Sequence, residues 1–346
     1  MATRRIENNE NLSFFGKVWS FFKRNPIIIM MAVISLIVGI TIDNFFSWAN
    51  LNNLISNTSV RLLIALGVSG CLIAQGTDLS AGRQVGLAAC VTGILVQRFT
   101  YSDRILGDFP EINMWLVLLI VLFIGALMGA LNGWIIAYLK VPSFIATLGT
   151  QTIIYGIALV LTDAQPIGGF QDNYTSFVNG AFFEIEGINF PGIPFLLPIA
   201  VICGLIFWFV FNKTTHGKYM YAIGGNEVAA EDCGVRTQRV KFLIYMSAGV
   251  LYALAGYLLA GKAGGANSNM GNGYELEAIA GCTIGGVSTT GGVGTVGGIL
   301  VGVLVFELLK IVLQFLGVNP YYNYIVQGLV IIIAVALDIR KHIAKK

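Results

Sequence analysis

Charged residues are scarce in this chain of 346 residues. Only 11% of them are Asp, Glu, Lys or Arg, whereas soluble domains carry about 25%. Hydrophobic residues make up 56% instead. This balance leaves almost nothing for a water-soluble domain and indicates a protein that lies mostly in a lipid bilayer.

The residues that enzyme chemistry needs are also few. The two histidines, His216 and His342, have no partners at metal-ligand spacing. The glycine run at 291–298 lacks the Lys-Ser/Thr ending of a nucleotide-binding P-loop. Five scattered cysteines support neither disulfides nor a zinc site. We therefore expect no catalytic, cofactor-binding or metal-binding residues on this chain.

Long apolar runs predict an all-α polytopic membrane protein. A hydrophobic share of 56% corresponds to about 194 residues, enough for nine or ten spans at roughly 20 residues each. No small-residue cleavage site follows the first run, so it is expected to be retained as a span. The predicted spans lie near 26–43, 60–75, 82–98, 114–138, 143–162, 193–211, 242–262, 276–288, 294–314 and 322–338.

The distribution of positive charge predicts the topology. Fourteen of the 21 Lys and Arg residues fall in the N-terminal tail, in a central loop or in the C-terminal tail. The positive-inside rule places all three in the cytoplasm, which requires an even number of spans and so favours ten. The predicted organisation is a cytoplasmic tail at 1–25, one transmembrane domain at 26–338 and a cytoplasmic tail at 339–346. Within the domain, the loop at 212–241 is cytoplasmic and the acidic loop at 163–192 is periplasmic.

The central loop contains a signature of a short helix between Gly224 and Gly234. Asn226 is a good N-cap, Glu227 suits the positive end of the helix dipole, and Gly234 can end the helix in the left-handed conformation. About two turns of helix are not stable alone in water. The helix must therefore pack on something, either its own protein, as a linker, or a partner.

Two predicted spans are interrupted by polar residues and glycine. The first break runs from Gly76 to Arg83; the second runs from Gly271 to Glu277 and leads into a short apolar run that ends at 285–292. Broken helices persist in a membrane only where protein or a water-filled cavity covers the backbone. The breaks follow the first spans of two possible repeats, spans 2–5 and 7–10, of opposite orientation. Such a pair is the usual sequence pointer to a transport pathway.

Few ionisable residues lie within the predicted spans. Asp78 and Arg83 are expected to compensate each other at the first break. Glu307 and Lys310, three residues apart, are expected to pair on one helix face. Deep central acids are absent in this interpretation, which argues against ion coupling.

The second break also carries two acids. Glu275 and Glu277 are placed near the outer surface, where they would either meet basic groups of a docking partner or remain solvated.

Two stripes of glycine at four-residue spacing predict close helix packing. They comprise Gly125, Gly129 and Gly133, and Gly294, Gly298 and Gly302. Each stripe could face another span of this chain or a second copy of it.

Several of these motifs resemble permeases of bacterial ABC importers for monosaccharides, the ribose, xylose and galactose group. They are Asp78-Leu-Ser-x-Gly82, Gly225-Asn-x-x-Ala-Ala230 before Gly234, and Gly285-Gly-Val-Ser288. The similarity covers nearly all of the chain after residue 50. The longer strings Gln75–Ala89, Gly291–Thr295, Gly317–Tyr321 and Ala334–Asp338 are especially similar to permeases for galactose and methyl-galactoside.

The resemblance implies a homodimer in the bacterial inner membrane. It implies two further partners, a periplasmic sugar-binding protein and a cytoplasmic ATPase subunit with two nucleotide-binding cassettes, which would hold the ATP and Mg²⁺. The short helix would be the ATPase-coupling helix, formed by Gly225, Asn226, Glu227, Ala229, Ala230 and Gly234. The translocation pathway would run beside the breaks, at Asp78, Ser80, Gly82, Arg83, Gly285, Gly286 and Ser288. Glu275 and Glu277 are candidates for docking of the binding protein.

Two other functions remain open on the sequence. One is an ion-coupled secondary sugar carrier, and the other is a receptor-like membrane scaffold without transport. Sugar uptake by the reconstituted chain, with and without an ATPase subunit and an ion gradient, distinguishes them.

Overall fold

The computed structural model describes residues 26–183, 191–319 and 321–343. The predicted tail at 1–25 and the acids Glu184 and Glu186 lie outside these residues. In chain order the elements are α1 (Pro26–Thr41), α2 (Trp48–Ile73), α3 (Ala81–Leu95), α4 (Met114–Ala137), α5 (Ser143–Thr162), α6 (Asp172–Asn179), β1 (Ala181–Phe182), β2 (Ile193–Pro194), α7 (Leu196–Lys213), α8 (Thr215–Gly225), α9 (Glu227–Asp232), α10 (Thr237–Ala263), α11 (Tyr274–Ile284), α12 (Val296–Phe315) and α13 (Tyr322–Ile343). The two strands pair antiparallel.

Six helices in the described part of the chain are long and apolar enough to cross a membrane: α2, α4, α5, α7, α10 and α12. Helices α3 and α11 are shorter, with 15 and 11 residues. Each of the ten predicted segments falls on a helix, but several boundaries differ. Helix α2 begins at Trp48, twelve residues earlier than predicted, because the Ser47 side chain caps it by accepting a hydrogen bond from the Asn50 amide at 3.2 Å. Helix α13 continues to Ile343, into the predicted tail.

Helix α10 lies at the centre of the fold and packs on α2, α3 and α4. Its contact with α4 is made by glycine. A Cβ atom at Gly125 would collide with Ala253 and Gly249, and one at Gly129 would collide with the backbone of Tyr245. This stripe therefore faces a helix of the same chain, and the absent side chains let the two backbones approach closely.

The second stripe also packs within the chain. Gly298 and Gly302 on α12 lie against Gly285 and Gly281 at the end of α11. Its first member, Gly294, precedes the helix and packs on Ile73.

Eight of the helices, α2–α5 and α10–α13, form two sets of four with matching contacts. In the first set α3 packs on α4 and α5, and in the second α11 packs on α12 and α13. Across the sets, α10 packs on α3 and α4, and α2 packs on α11 and α12. The end of α2 lies beside the loop that contains α9, from which α10 departs, so the two leading helices run in opposite directions. This arrangement agrees with the predicted inverted repeat.

Candidate functional site

Helix α9 forms as its sequence predicts. The Asn226 side chain accepts a hydrogen bond from the Ala229 amide at 3.1 Å. Gly234 adopts a φ of 82°, the left-handed conformation that ends a helix with little strain in glycine. Glu227 in the first turn forms an ion pair with Lys241 of α10 at 2.6 Å. The helix is thus held on α10 by its own charged residue.

One face of α9 packs on the protein and the other is open. Ala230 is buried, and Glu231 accepts a hydrogen bond from the Thr237 hydroxyl at 2.5 Å. Val228 is 68% exposed, and Ala229 is exposed beside it. The two alanines therefore differ: Ala230 anchors the helix, and Ala229 belongs to a small apolar surface that the chain itself does not cover.

The segment that leads into α9 is bonded to the end of α2, next to the first break, and to the loop after α11. The Gln75 side-chain amide donates to the carbonyl oxygens of Gly224 and Thr290, each at 3.1 Å. The Tyr221 hydroxyl of α8 donates to the Gly294 carbonyl at 2.9 Å. A displacement of α8 and α9 would therefore pull on the end of α2 and on the loop between α11 and α12 at once.

At the first break, Asp78 is buried at the centre of a polar cluster. One of its carboxylate oxygens accepts hydrogen bonds from the Ser80 hydroxyl at 2.6 Å and the Ser80 amide at 3.0 Å. Gln84 and Asn132 both donate to the Ser80 hydroxyl oxygen, at 2.9 and 2.8 Å. Within this network the Ser80 amide, which precedes α3 and has no helical partner, finds an acceptor. Gln84 and Asn132 were not predicted as site residues, because single amides in apolar helices carry no motif.

The predicted pairing of Asp78 with Arg83 is wrong. The Arg83 guanidinium lies over the Tyr155 ring, 4.0 Å from its centroid, and donates to the Ser268 carbonyl at 3.3 Å. Asp78 precedes α3 and folds back onto Ser80, whereas Arg83 lies in the first turn of α3 and reaches α5 and the loop before α11. Asp78 and Arg83 therefore interact with different residues and not with each other.

The two breaks meet where α3 and α11 begin. A Cβ atom at Gly82 would collide with the Gly271 carbonyl and the Glu275 carboxylate. Glycine at 82 therefore permits this close approach. The starts of the two short helices, which belong to different repeats, form one buried junction.

The prediction that Glu275 and Glu277 lie at the surface is wrong. Glu275 is only 6% exposed and lies at the junction. Glu277 is also largely buried and pairs with Arg61 at 2.7 Å and with Lys310 at 2.8 Å. The acids lie on a half-length helix that starts inside the protein, where Glu275 is covered and Glu277 is held by two bases.

Arg61, Glu277, Glu307 and Lys310 form an ion-pair network halfway along α2. Arg61 also contacts Glu307 at 3.0 Å, while the predicted Glu307–Lys310 pair has the longest distance, 3.9 Å. Glu307 is therefore buried and pairs mainly with Arg61 and not, as predicted, with Lys310. Arg61 was missed, although an arginine inside the predicted span 60–75 is itself a signal of a buried partner.

The loop after α11 holds the other predicted pathway residues. Gly286 has a φ of 88°, and Gly285 packs against the backbone of Gly298. The Ser288 amide donates to the Val293 carbonyl at 2.9 Å and closes the loop upon itself. Gly285, Gly286 and Ser288 thus lie on the same side of the molecule as α9, away from Glu275.

The described residues contain no group of three His, Cys, Asp or Glu side chains placed to hold a metal ion. All five cysteines are free, and Cys233 after α9 is exposed. The distinctive features are the open face of α9, the two breaks and the ion-pair network.

Comparisons with known proteins place the chain among membrane permeases. The family described as branched-chain amino acid transport system / permease component matches residues 50–335. The galactose/methyl galactoside import permease protein MglC of Haemophilus influenzae is 44% identical over 334 residues, which cover 96% of this chain and 98% of that protein. MglC of Escherichia coli K12 is 44% identical over 330 residues, covering 94% and 97%. The ribose import permease protein RbsC of the same strain is 34% identical over 343 residues, covering 99% and 100%. No solved structure matches the chain significantly.

Proposed function

The chain belongs to the family of branched-chain amino acid transport system permease components, and from this premise we propose that it imports a monosaccharide as the membrane permease subunit of an ATP-driven transporter. Galactose or a methyl galactoside is the proposed substrate, since import permeases for these sugars are similar over nearly their whole length. The protein is a multi-pass protein of the bacterial inner membrane.

The observation that carries the proposal is the attachment of the segment before α9 to the end of α2, next to the first break, and to the loop after α11. The open face of α9, Val228 and Ala229, offers a docking surface of small apolar residues. Its inner face is joined through α8 and Gln75 to the end of α2 and to the loop after α11. An ATPase that moves α9 would thereby act on the two interrupted regions together.

The proposed topology has ten spans, with both termini and α9 in the cytoplasm. Helices α3 and α11 would cross only part of the bilayer, and the chain before each would complete the span. A second copy of the permease, an ATPase subunit with two cassettes and a periplasmic sugar-binding protein complete the transporter. ATP and Mg²⁺ would bind to the ATPase subunit.

Transport requires outward-open and inward-open states that different ligands favour. In this proposal ATP binding and hydrolysis shift the populations through α9, and sugar passes beside the breaks at the axis of the dimer. The ion-pair network does not call for an ion-coupled carrier instead, because its two acids are matched by two bases. If cysteines introduced along 76–83 and 275–292 stay inert to aqueous reagents in every state, the pathway lies elsewhere.

Uptake of radiolabelled galactose into proteoliposomes tests the proposal. We expect uptake only with the permease, the ATPase subunit, ATP and the sugar-loaded binding protein, and no response to a proton or sodium gradient. The matched control omits only the ATPase subunit. Gradient-driven uptake by the permease alone would overturn the proposal in favour of a secondary carrier.

A further inference from the structure

A cavity of about 340 Å³ lies between α2, α11, α12 and the start of α13. One wall is the ion-pair network, through Arg61, Glu277 and Lys310. The opposite wall contains Tyr321, Tyr324 and Gln327. The cavity thus reaches from the first turn of α13, at the end of the molecule opposite α9, to the charges halfway along α2.

The volume suits a small ligand. Ligand sites span roughly 300–1,000 Å³, and this cavity lies at the lower end of that range, with room for one sugar ring. Tyr321 and Tyr324 are 77% and 67% exposed. The mouth is therefore lined by two aromatic rings that this chain does not cover.

The lining groups are of the kinds that bind a polyhydroxylated ring. A hydroxyl group both donates and accepts hydrogen bonds, so it can bond to a carboxylate, an ammonium group or a side-chain amide. Glu277, Lys310 and Gln327 supply one of each. The tyrosine rings supply flat apolar faces for the C–H side of the sugar and hydroxyl groups for its edge.

The charge balance selects a neutral ligand. Two acids and two bases in the network contact one another at 2.7 to 3.9 Å, so the network itself has no net charge for an ionic ligand to neutralise. A sugar hydroxyl must compete with ion pairs that already exist. Binding should consequently be weak, as a site on a transport route requires.

We propose that this cavity is a low-affinity site where a neutral monosaccharide rests after it leaves the binding protein. The inference rests on the proposed import function for the identity of the sugar. Tyr324 and Gln327 on α13 contact the ring, and Glu277 and Lys310 form hydrogen bonds with its hydroxyl groups.

Cysteine protection tests the site without any transport. Tyr324→Cys and, as the matched control, Tyr322→Cys are made in a background with Cys203→Ser and Cys233→Ser. Tyr322 is also exposed but does not line the cavity. Both are labelled with a membrane-impermeant maleimide in proteoliposomes that contain the ATPase subunit.

Galactose at about ten times its protection midpoint should slow labelling at 324 by about tenfold. Labelling at 322 should not change, and betaine at equal osmolality should protect neither. Equal protection at both positions would overturn the proposal, because the effect would not be local. Failure of Tyr324→Cys to react with the maleimide in the absence of sugar would also overturn the proposal, because a second copy or lipid would then cover the mouth of the cavity.

Transport by the complete complex provides the second measurement. Loss of the aromatic contact in Tyr324→Ala should lower the uptake rate about three- to tenfold, and Tyr324→Phe, which keeps the ring and loses only the hydroxyl group, should lower it less. Tyr322→Ala should remain near wild type. Equal rates in Tyr324→Ala and Tyr322→Ala would reject the cavity as part of the route. If the wild-type complex imports no sugar, the proposed function fails, and protection at 324 still decides whether the cavity binds one.

Discussion

The two helix breaks begin alike and are stabilised by different forces. Each leads into a half-length helix, α3 or α11, and the two helices start at a shared junction around Gly82. The first break is held by hydrogen bonds around one buried acid, Asp78. The second adjoins a network of four charges that links α2, α11 and α12.

The first break is enclosed by the protein, whereas the second lies next to a cavity. Asp78 and Ser80 are fully buried and do not line the cavity at α13. The network lies along that cavity, where ligand or water can exchange for an ion pair. We therefore interpret the first break as the support of the junction and the second as the part that responds to sugar.

Arg61→Met should give the largest loss of stability. It leaves Glu277 and Glu307 largely buried with only Lys310 as a basic partner. Breaking a buried ion pair from one side costs about 3–5 kcal/mol. Unfolding of the purified protein in mixed micelles measures this free energy. The double variant Arg61→Met/Glu307→Gln should recover part of the loss; a single variant within about 1 kcal/mol of wild type would show that the network carries no stability.

Gly302→Ala should be next, through packing of α12 on α11. The added methyl group would collide with the Gly281 carbonyl and the Gly285 amide. Overpacking of this kind costs about 1–3 kcal/mol, measured by the same unfolding experiment. Gly297→Ala on the same helix meets open space and should cost nothing. Equal stability of the two variants would contradict the close approach of the helices.

Asp78→Ala tests the first break. It leaves the buried amide and hydroxyl of Ser80 without their acceptor, at a cost of about 1–3 kcal/mol. Asp78→Asn retains an acceptor oxygen and should lose less. Hydrogen exchange separates the two breaks. We expect the exchange rate of α3 to rise in Asp78→Ala but not in Arg61→Met. An equal rise at α11 in Asp78→Ala would mean that the two breaks are not stabilised separately.

Gln75→Leu should have the smallest effect on stability and a clear effect on transport. It removes two hydrogen bonds, to Gly224 and Thr290, worth about 1 kcal/mol each at most in an exposed setting. Uptake per ATP hydrolysed should fall, because this side chain no longer joins the end of α2 to the segment before α9 and to the loop after α11. The control is Gln165→Leu, an exposed glutamine at the other end of the molecule. Wild-type uptake per ATP hydrolysed in Gln75→Leu would show that this side chain does not contribute to coupling.

Local patterns predicted helix α9 correctly, and long-range contacts escaped them. Asn226, Glu227 and Gly234 act on their own backbone or on a helix that follows directly, so residues close in sequence are enough to predict their roles. Glu277 pairs with Arg61, 216 positions away, and no spacing in the sequence links them. The early start of α2 was missed for another reason. Asn50, Asn52 and Asn53 make its first turns polar, so these turns do not look like part of a span. In the structure the Asn50 side-chain amide donates a hydrogen bond to the Phe45 carbonyl.

The direct test of the central claim, that α9 transmits the action of an ATPase to the breaks, is the ratio of sugar imported to ATP hydrolysed in Ala229→Trp. Ala229 is exposed and Ala230 is buried, so a large residue at 229 should leave the fold intact and obstruct docking alone. We expect wild-type unfolding, expression and membrane insertion, with that ratio reduced by about tenfold or more, the loss that about 1.4 kcal/mol of coupling energy represents. A well-folded Ala229→Trp permease that imports galactose at the wild-type ratio would contradict the claim.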